Sequence, residues 1–372
     1  MDKSTPNKLI IWKIIALFLL VSLIVIIVLY SCGVGWKDKK DNKENVPDNP
    51  DYKSILTLWE PESTIIKKLV PYINEITNKN SIDYIPVEDR IAVFDLDGTL
   101  FCETDPIYFD WYMFTYRVLE DPDYKGKAEQ QDIDLANEIR AANIHSLPEG
   151  LEKRHCVRNA YVFKDMPLKD FYSYIKKYLN TDAPGYNNMK RGDAFYQPML
   201  QVIDYLQKNE FTVFVVSGSD RFEVRTIVDG HINIPESQIL GSSATVKASG
   251  QGNKDGLDYQ FQKGDYVILG GGFTVKNVKM NKVSYIETEI GKKPVLSFGN
   301  SSGDTSMANY VVNDNQYESL AFMVCCDDLE RENGNMNKAN NMRKLCEENN
   351  WEPISMRDDW KTIYGDKVTR KK

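Results

Sequence analysis

The apolar and polar positions divide the chain into three unlike stretches. Residues 9–30 are apolar apart from Lys13 and Ser22. Their apolar side chains run all round the predicted helix instead of along one stripe, the pattern of a lipid-facing segment and not of a core helix. At about 1.5 Å per residue such a helix crosses roughly the hydrocarbon core of a bilayer. Residues 33–52 are rich in Lys, Asp, Asn and Pro with almost no apolar content, too little to support a packed core. They read as a flexible linker with a span of roughly 25 Å.

Beyond residue 52 the pattern is that of a folded unit. Ile65, Leu69, Ile73 and Ile76 keep helical spacing, and Pro71 is expected to kink that helix or split it in two. The run Ile91-Ala92-Val93 predicts a first strand. From 101 to 193 the periodic segments are helical: residues 133–144 form one, and Leu168, Phe171, Ile175 and Tyr178 share a face of another. Met199, Val202, Ile203 and Leu206 predict an amphipathic helix that feeds a strand over 211–216. The Gly/Asp/Lys-rich stretch 241–272 suggests hairpins or a flap. A helix carrying Val283, Ile286 and Ile290 follows, then strands over 295–298 and 320–325. This order predicts an α/β fold: a Rossmann-like, doubly wound parallel sheet core (53–100 and 194–372) with a helical cap (101–193) inserted after the first strand.

Composition removes some functions. A net charge of −8 without a long Lys/Arg block argues against nucleic acid as a partner. The six cysteines lack zinc-like spacing, and the three histidines, 145, 155 and 231, follow no ligand spacing. At the N-terminus, lysines flank residues 9–30 on both sides. The short leading tail favours an N-in anchor or an export signal, and Leu29-Tyr30-Ser31-Cys32 resembles a lipoprotein processing site that would lipidate Cys32. The expectation is a membrane-anchored protein, 1–32 being the anchor or signal, with its folded domain outside the cytoplasm.

Candidate chemistry gathers at predicted strand ends. Asp95-Leu96-Asp97-Gly98-Thr99 follows the first strand, Ser217-Gly218 follows the second, and Gly299-Asn300-Ser301-Ser302-Gly303-Asp304 follows the third, with Lys282 upstream. In open α/β sheets ligands bind beyond the carboxyl ends of the strands. Converging there, Asp95, Asp97 and Asp304 would repel one another unless a cation neutralised them, and an all-oxygen site beside a phosphate suits Mg²⁺.

These motifs resemble the haloacid dehalogenase superfamily, in particular its phosphoserine-phosphatase-like and phosphorylcholine-phosphatase-like branch. The resemblance spans residues 88–330. It implies a Mg²⁺-dependent phosphatase of small phosphomonoesters, in which Asp95 is the nucleophile that forms an aspartyl-phosphate and Asp97 is the acid/base. It further implies that Ser217 and the Gly218 N–H, in a turn, hold a phosphate oxygen, that Lys282 offsets charge, and that Asp95, Asp97, Asn300 and Asp304 hold the metal. Lys276 and Lys279 compete with Lys282 for its role. Asn300 departs from the pattern, an aspartate being usual there. Glu103 lies one residue away from where relatives place a carboxylate that contacts a substrate amine.

Six aromatics, Tyr108, Phe109, Trp111, Tyr112, Phe114 and Tyr116, open the cap; they read as cap core or as a cage for a quaternary ammonium. Two other functions stay open: a phosphomutase, and a membrane-tethered protein of this fold that binds a phosphorylated ligand without turnover.

Overall fold

A computed structural model describes residues 50–105, 107–143 and 146–371. The apolar segment 9–30, Cys32, nearly all of the linker and His145 lie outside the described residues. Among the described residues no helix is long and apolar enough to cross a membrane.

The chain enters through α1 (Tyr52–Ile55), a π turn (Ile65–Leu69) and α2 (Val70–Thr77). Pro71 sits in the first turn of α2, where a missing N–H costs no helical hydrogen bond, so the predicted split falls at the π turn. β1 (Ile91–Phe94) follows, then four helices: α3 (Phe109–Leu119), α4 (Gln130–Ala141), α5 (Leu151–Val162) and α6 (Leu168–Leu179). After β2 (Tyr186–Asn187) come α7 (Gln197–Lys208), β3 (Thr212–Asp220) and α8 (Arg221–Val228). Next are β4 (Ile239–Ala248), β5 (Val267–Val275), α9 (Met280–Tyr285) and β6 (Leu296–Gly299). α10 (Thr305–Val312), β7 (Leu320–Cys325), α11 (Met336–Asn349), β8 (Glu352–Ser355) and β9 (Thr369–Arg370) complete the order.

Seven strands make one sheet in the order β5-β4-β3-β1-β6-β7-β8, parallel at every pairing except β4–β5. Chain order runs outward from β1 in both directions, which makes its C-terminal end the switch point where a cleft opens. All four residues of β1 are buried, as a parallel strand covered on both faces requires. Ala92 and Phe94 pack on one side with Val215 and the α7 residues Met199 and Leu206. Val93 packs on the other with Val216, Met307 and Val311. Phe94, Phe298 and Phe322 stack across three neighbouring strands at centroid distances of 4.2 and 5.0 Å.

The helical insert α3–α6 lies between β1 and β3 in sequence. Backbone pairings join it and the segment after it to the rest. Pro167 bridges to Ile268 on β5, and β2 pairs antiparallel with β9 at the end of the chain.

Candidate active site

Asp95 is the first residue past β1, and its N–H donates to Phe298 O at 2.9 Å, which ties the turn to β6. The chain then folds back: Gly98 N–H donates to Phe101 O, and Leu100 and Phe101 both donate to Leu96 O. Gly98 has φ +77°, and a Cβ there would stand 1.8 Å from Asn300 Nδ2 and 2.5 Å from Glu103 Oε2. Both the left-handed backbone and the close approach therefore require glycine.

Lys282, on α9 and only 1% exposed, donates from Nζ to Asp95 Oδ1 at 2.6 Å, Asp304 Oδ1 at 2.6 Å and Val216 O at 2.5 Å. Burial opposes its charge, but Asp304 and Asp95 outweigh that and hold its pKa above the ordinary lysine value. Burial and the Asp304 carboxylate push Asp95 upward, against Lys282. The other oxygen of Asp304 accepts from Asn300 N–H, Ser301 N–H and Ser301 Oγ at 3.0–3.1 Å. Asp304 thus fixes the lysine and the 300–304 turn together.

β3 is longer than its apolar run. It continues through Ser217-Gly218-Ser219 to Asp220, with a shift in register between Val216 and Asp220 where it meets β4. The expected turn at Ser217-Gly218 is therefore strand. The Ser217 hydroxyl is fully buried and accepts the Ser219 N–H at 3.0 Å. Ser219, not read from the sequence, donates from its hydroxyl to Asp97 Oδ2 at 2.7 Å. Burial, together with the Asp110 and Glu103 carboxylates, lifts Asp97 to about 7, and the Ser219 hydrogen bond and Lys276 oppose the rise. A carboxyl poised there can give and take a proton near neutrality.

The metal expectation is changed by this geometry. Among the described residues no three His, Cys, Asp or Glu side chains gather closely enough to hold a metal ion. The cation between Asp95 and Asp304 is the Lys282 ammonium, so their repulsion does not by itself demand a metal. Asp304 has both oxygens engaged in hydrogen bonds. Asn300 Nδ2 donates to Glu103 Oε2 at 2.9 Å, which orients the amide, and the buried Asn300 Oδ1 has no hydrogen-bond partner. Mg²⁺ is commonly held by one or two carboxylates with waters and substrate phosphate. Asp95 and the orphaned Asn300 oxygen fit that donor set.

Over these groups lies a cavity of about 520 Å³ that reaches from Asp95 and Asp97 to the helical insert. Of the six cap aromatics, only Tyr108 and Trp111 line it, 5.8 Å apart and inclined by 50°. Phe109, Tyr112 and Tyr116 pack on Tyr178, and Phe114 packs on the buried His155, so these four are cap core. Asp110 and Glu152 complete an acidic and aromatic wall. Glu103 lines the cavity too, accepting from the Tyr108 hydroxyl at 2.8 Å and Lys338 Nζ at 3.3 Å. The wall formed by Lys338, Met342 and Leu345 of α11 was not foreseen. Asp110 did carry a signal: it is a buried carboxyl within the aromatic run of α3.

No known family model matches the chain, and no curated protein matches it by sequence. Among solved structures, a conserved functionally unknown protein from Anaerococcus prevotii is similar at 14% identity and TM-score 0.48, over 82% of this chain and 96% of that one. Cytosolic 5′-nucleotidase IIIB bound to cytidine is similar at 13% identity and TM-score 0.45, over 79% and 87%. A phosphoserine phosphohydrolase-like protein from Francisella tularensis is similar at 12% identity and TM-score 0.32, over 63% and 87%.

Proposed function

We propose that the chain is a Mg²⁺-dependent phosphatase of small phosphomonoesters, working through an aspartyl-phosphate on Asp95. The observation that carries this reading is a separation of tasks between two carboxyls two residues apart. Asp95 Oδ1 is held by a buried ammonium at 2.6 Å, whereas Asp97 is held by a hydroxyl at 2.7 Å.

A nucleophile for phosphorus needs a fixed anion whose remaining oxygen can approach in line. Asp95, tied through Oδ1 to the Lys282 ammonium, fills that role in its ionised form. Its attack breaks the P–O bond to the leaving group, and Asp97 gives its proton to the departing oxygen. Asp97 then takes a proton from the water that attacks the same phosphorus and frees Asp95. Lys282 offsets charge on the phosphoryl oxygens from a site closed to water, where it acts most strongly. Gly218 and Ser219, on the cavity wall, face the phosphoryl group. When bound at Asp95 and Asn300, Mg²⁺ supplies further neutralisation of those oxygens.

Tyr108 and Trp111 beside Asp110 and Glu152 suit a leaving group with an amine or ammonium, as in phosphoserine or phosphocholine. Residues 9–30, or a lipidated Cys32, would tether the enzyme to a membrane with this domain outside the cytoplasm. The full chain, assayed on a panel of phosphomonoesters with Mg²⁺ or chelator, tests the activity. Turnover that persists in Asp95→Asn refutes the nucleophile, and tight binding of phosphomonoesters with no turnover favours the tethered binder. Carbonate extraction and protease protection of cell membranes test the tether.

A further inference from the structure

Three lysines on one short segment line the cavity at a spacing of three: Lys276, Lys279 and Lys282. Their surroundings differ. Lys282 is engaged by Asp95 and Asp304, and Lys276 lies 3.5 Å from Glu152 Oε1 on the cap helix α5. Lys338, on the opposite wall, lies 3.3 Å from Glu103 Oε1. Among the described residues, Lys279 alone of these four has no carboxylate within ion-pair distance.

A solvated lysine at a cavity rim would be unremarkable, but two features separate Lys279 from one. Its backbone takes φ 55°, ψ −128°, a region that strains a residue with a side chain. Glycine would adopt it without strain, so the cost is borne by a position that keeps its cation. The residue is also fixed in place. Its N–H donates to Gly303 O at 2.7 Å, and the neighbouring Asn277 is fully buried, joined to Ser242 Oγ and Leu240 O at 2.9 and 3.2 Å. Val278 packs so closely that a Cβ on Gly218 would come within 3.0 Å of its Cγ1. Lys279 therefore leaves a rigid platform beside the 301–303 turn.

We propose that Lys279 is a specificity-determining residue that receives a second anionic group, a carboxylate or a further phosphate, on the bound phosphomonoester. This rests on the phosphatase reading and narrows its substrate class. An anion reaching Lys276 or Lys338 must displace an acid already there, whereas Lys279 can accept one directly. A leaving group without an anion simply leaves Lys279 in water.

The test uses two phosphonates that cannot be hydrolysed and that differ in one carboxylate, ethylphosphonate and 2-carboxyethylphosphonate. Their Kd values are measured by calorimetry on the full chain with Mg²⁺. The wild type is expected to favour the carboxylated ligand about tenfold, the size of one hydrogen bond between charged groups. Added salt lessens the preference. Lys279→Met and Lys279→Gly lose it, Lys279→Arg keeps it, and the glycine variant melts no lower than wild type because its backbone is relieved. Equal affinities in the wild type, binding of neither ligand, or a preference that survives in Lys279→Met each overturn the proposal. A chain that shows the preference yet hydrolyses no phosphomonoester would sink the phosphatase reading and leave the anion subsite standing.

Discussion

Replacing Lys282 with Met removes the ammonium that joins the Asp95 loop to the 300–304 turn while keeping a side chain of similar length, so packing changes little and electrostatics dominate. Lys282 is 1% exposed and donates three hydrogen bonds of 2.5–2.6 Å. Removing one partner of a buried ion pair costs about 3–5 kcal/mol. Here two carboxylates, Asp95 and Asp304, are left facing one another, so the upper part of that range is expected at pH 8. The cost depends on pH with a definite sign. Burial and Asp304 already raise Asp95, and Lys282 opposes them; deleting Lys282 lets Asp95 rise further. The folded variant then binds a proton that the unfolded chain, with an Asp pKa of about 3.9, releases. Stability from such a raised group is present at low pH and is lost as pH climbs through the folded value. Lys282→Met should therefore lose least near pH 5 and most at pH 8. Urea unfolding followed by circular dichroism at pH 5, 6.5 and 8 measures it, with an unchanged m-value showing that the transition is the same one. Adding Asp304→Asn should return at least about 1 kcal/mol at pH 8, because it removes one of the opposed charges. A loss below about 1 kcal/mol at pH 8, or a loss no larger than at pH 5, would refute the claim that this ammonium neutralises the pair.

Asp97→Asn should lower turnover of an alkyl phosphomonoester about 10²–10⁴-fold, but lower that of p-nitrophenyl phosphate less, since its leaving group needs little protonation; equal losses would remove Asp97 from the acid role. With Asp97 titrating near 7, kcat for an alkyl ester should fall as pH rises through that value, because the acid form is lost. Asp110→Asn removes a charge that raises Asp97 and should move the fall to lower pH, while Ser219→Ala removes the bond that lowers it and should move the fall higher. Shifts in the same direction in the pH–rate profiles would contradict both assignments. Asn300→Asp adds ligand charge but sets a carboxylate against Glu103 Oε2, which the amide now meets at 2.9 Å. Only Asn300→Asp with Glu103→Gln should bind Mg²⁺ distinctly tighter than wild type in calorimetry, and an equal gain from Asn300→Asp alone would count against this.

What could be read from the sequence followed the range of the forces involved. The central strands were legible because a parallel strand buried on both faces is a continuous apolar run, as in Ile91–Phe94 and Leu320–Cys325. Met199, Val202, Ile203 and Leu206 announced α7 because one face alone meets the sheet. The end of β3 was hidden: Ser217-Gly218-Ser219 reads as a turn, and only pairing with β4, at Asp220 with Ser242, draws it into the strand. β2 and β9 were hidden for the same reason, since neither two-residue segment carries a pattern and each is defined by its distant partner. At the site, the residue types were legible but their pairings were not. A tally of three aspartates called for a metal, whereas a lysine 187 positions from Asp95 in sequence already stands between two of them.

Asparagine at residue 300 has a local cause. Gly98 brings its backbone so close to the Asn300 amide and the Glu103 carboxylate that no side chain fits between them. With that contact enforced, residue 300 must present a donor to Glu103 on one side and an oxygen to the cavity on the other. Asparagine does both, while aspartate would oppose one acceptor with another. Glu103 in turn accepts from the Tyr108 hydroxyl and from Lys338, which ties the loop after β1 to the start of α3 and to α11. Glu103 thus sets a carboxylate at the cavity wall beside Asn300. Gly98, Glu103 and Asn300 form one device, and altering any of them alone should disturb metal affinity and leaving-group preference together.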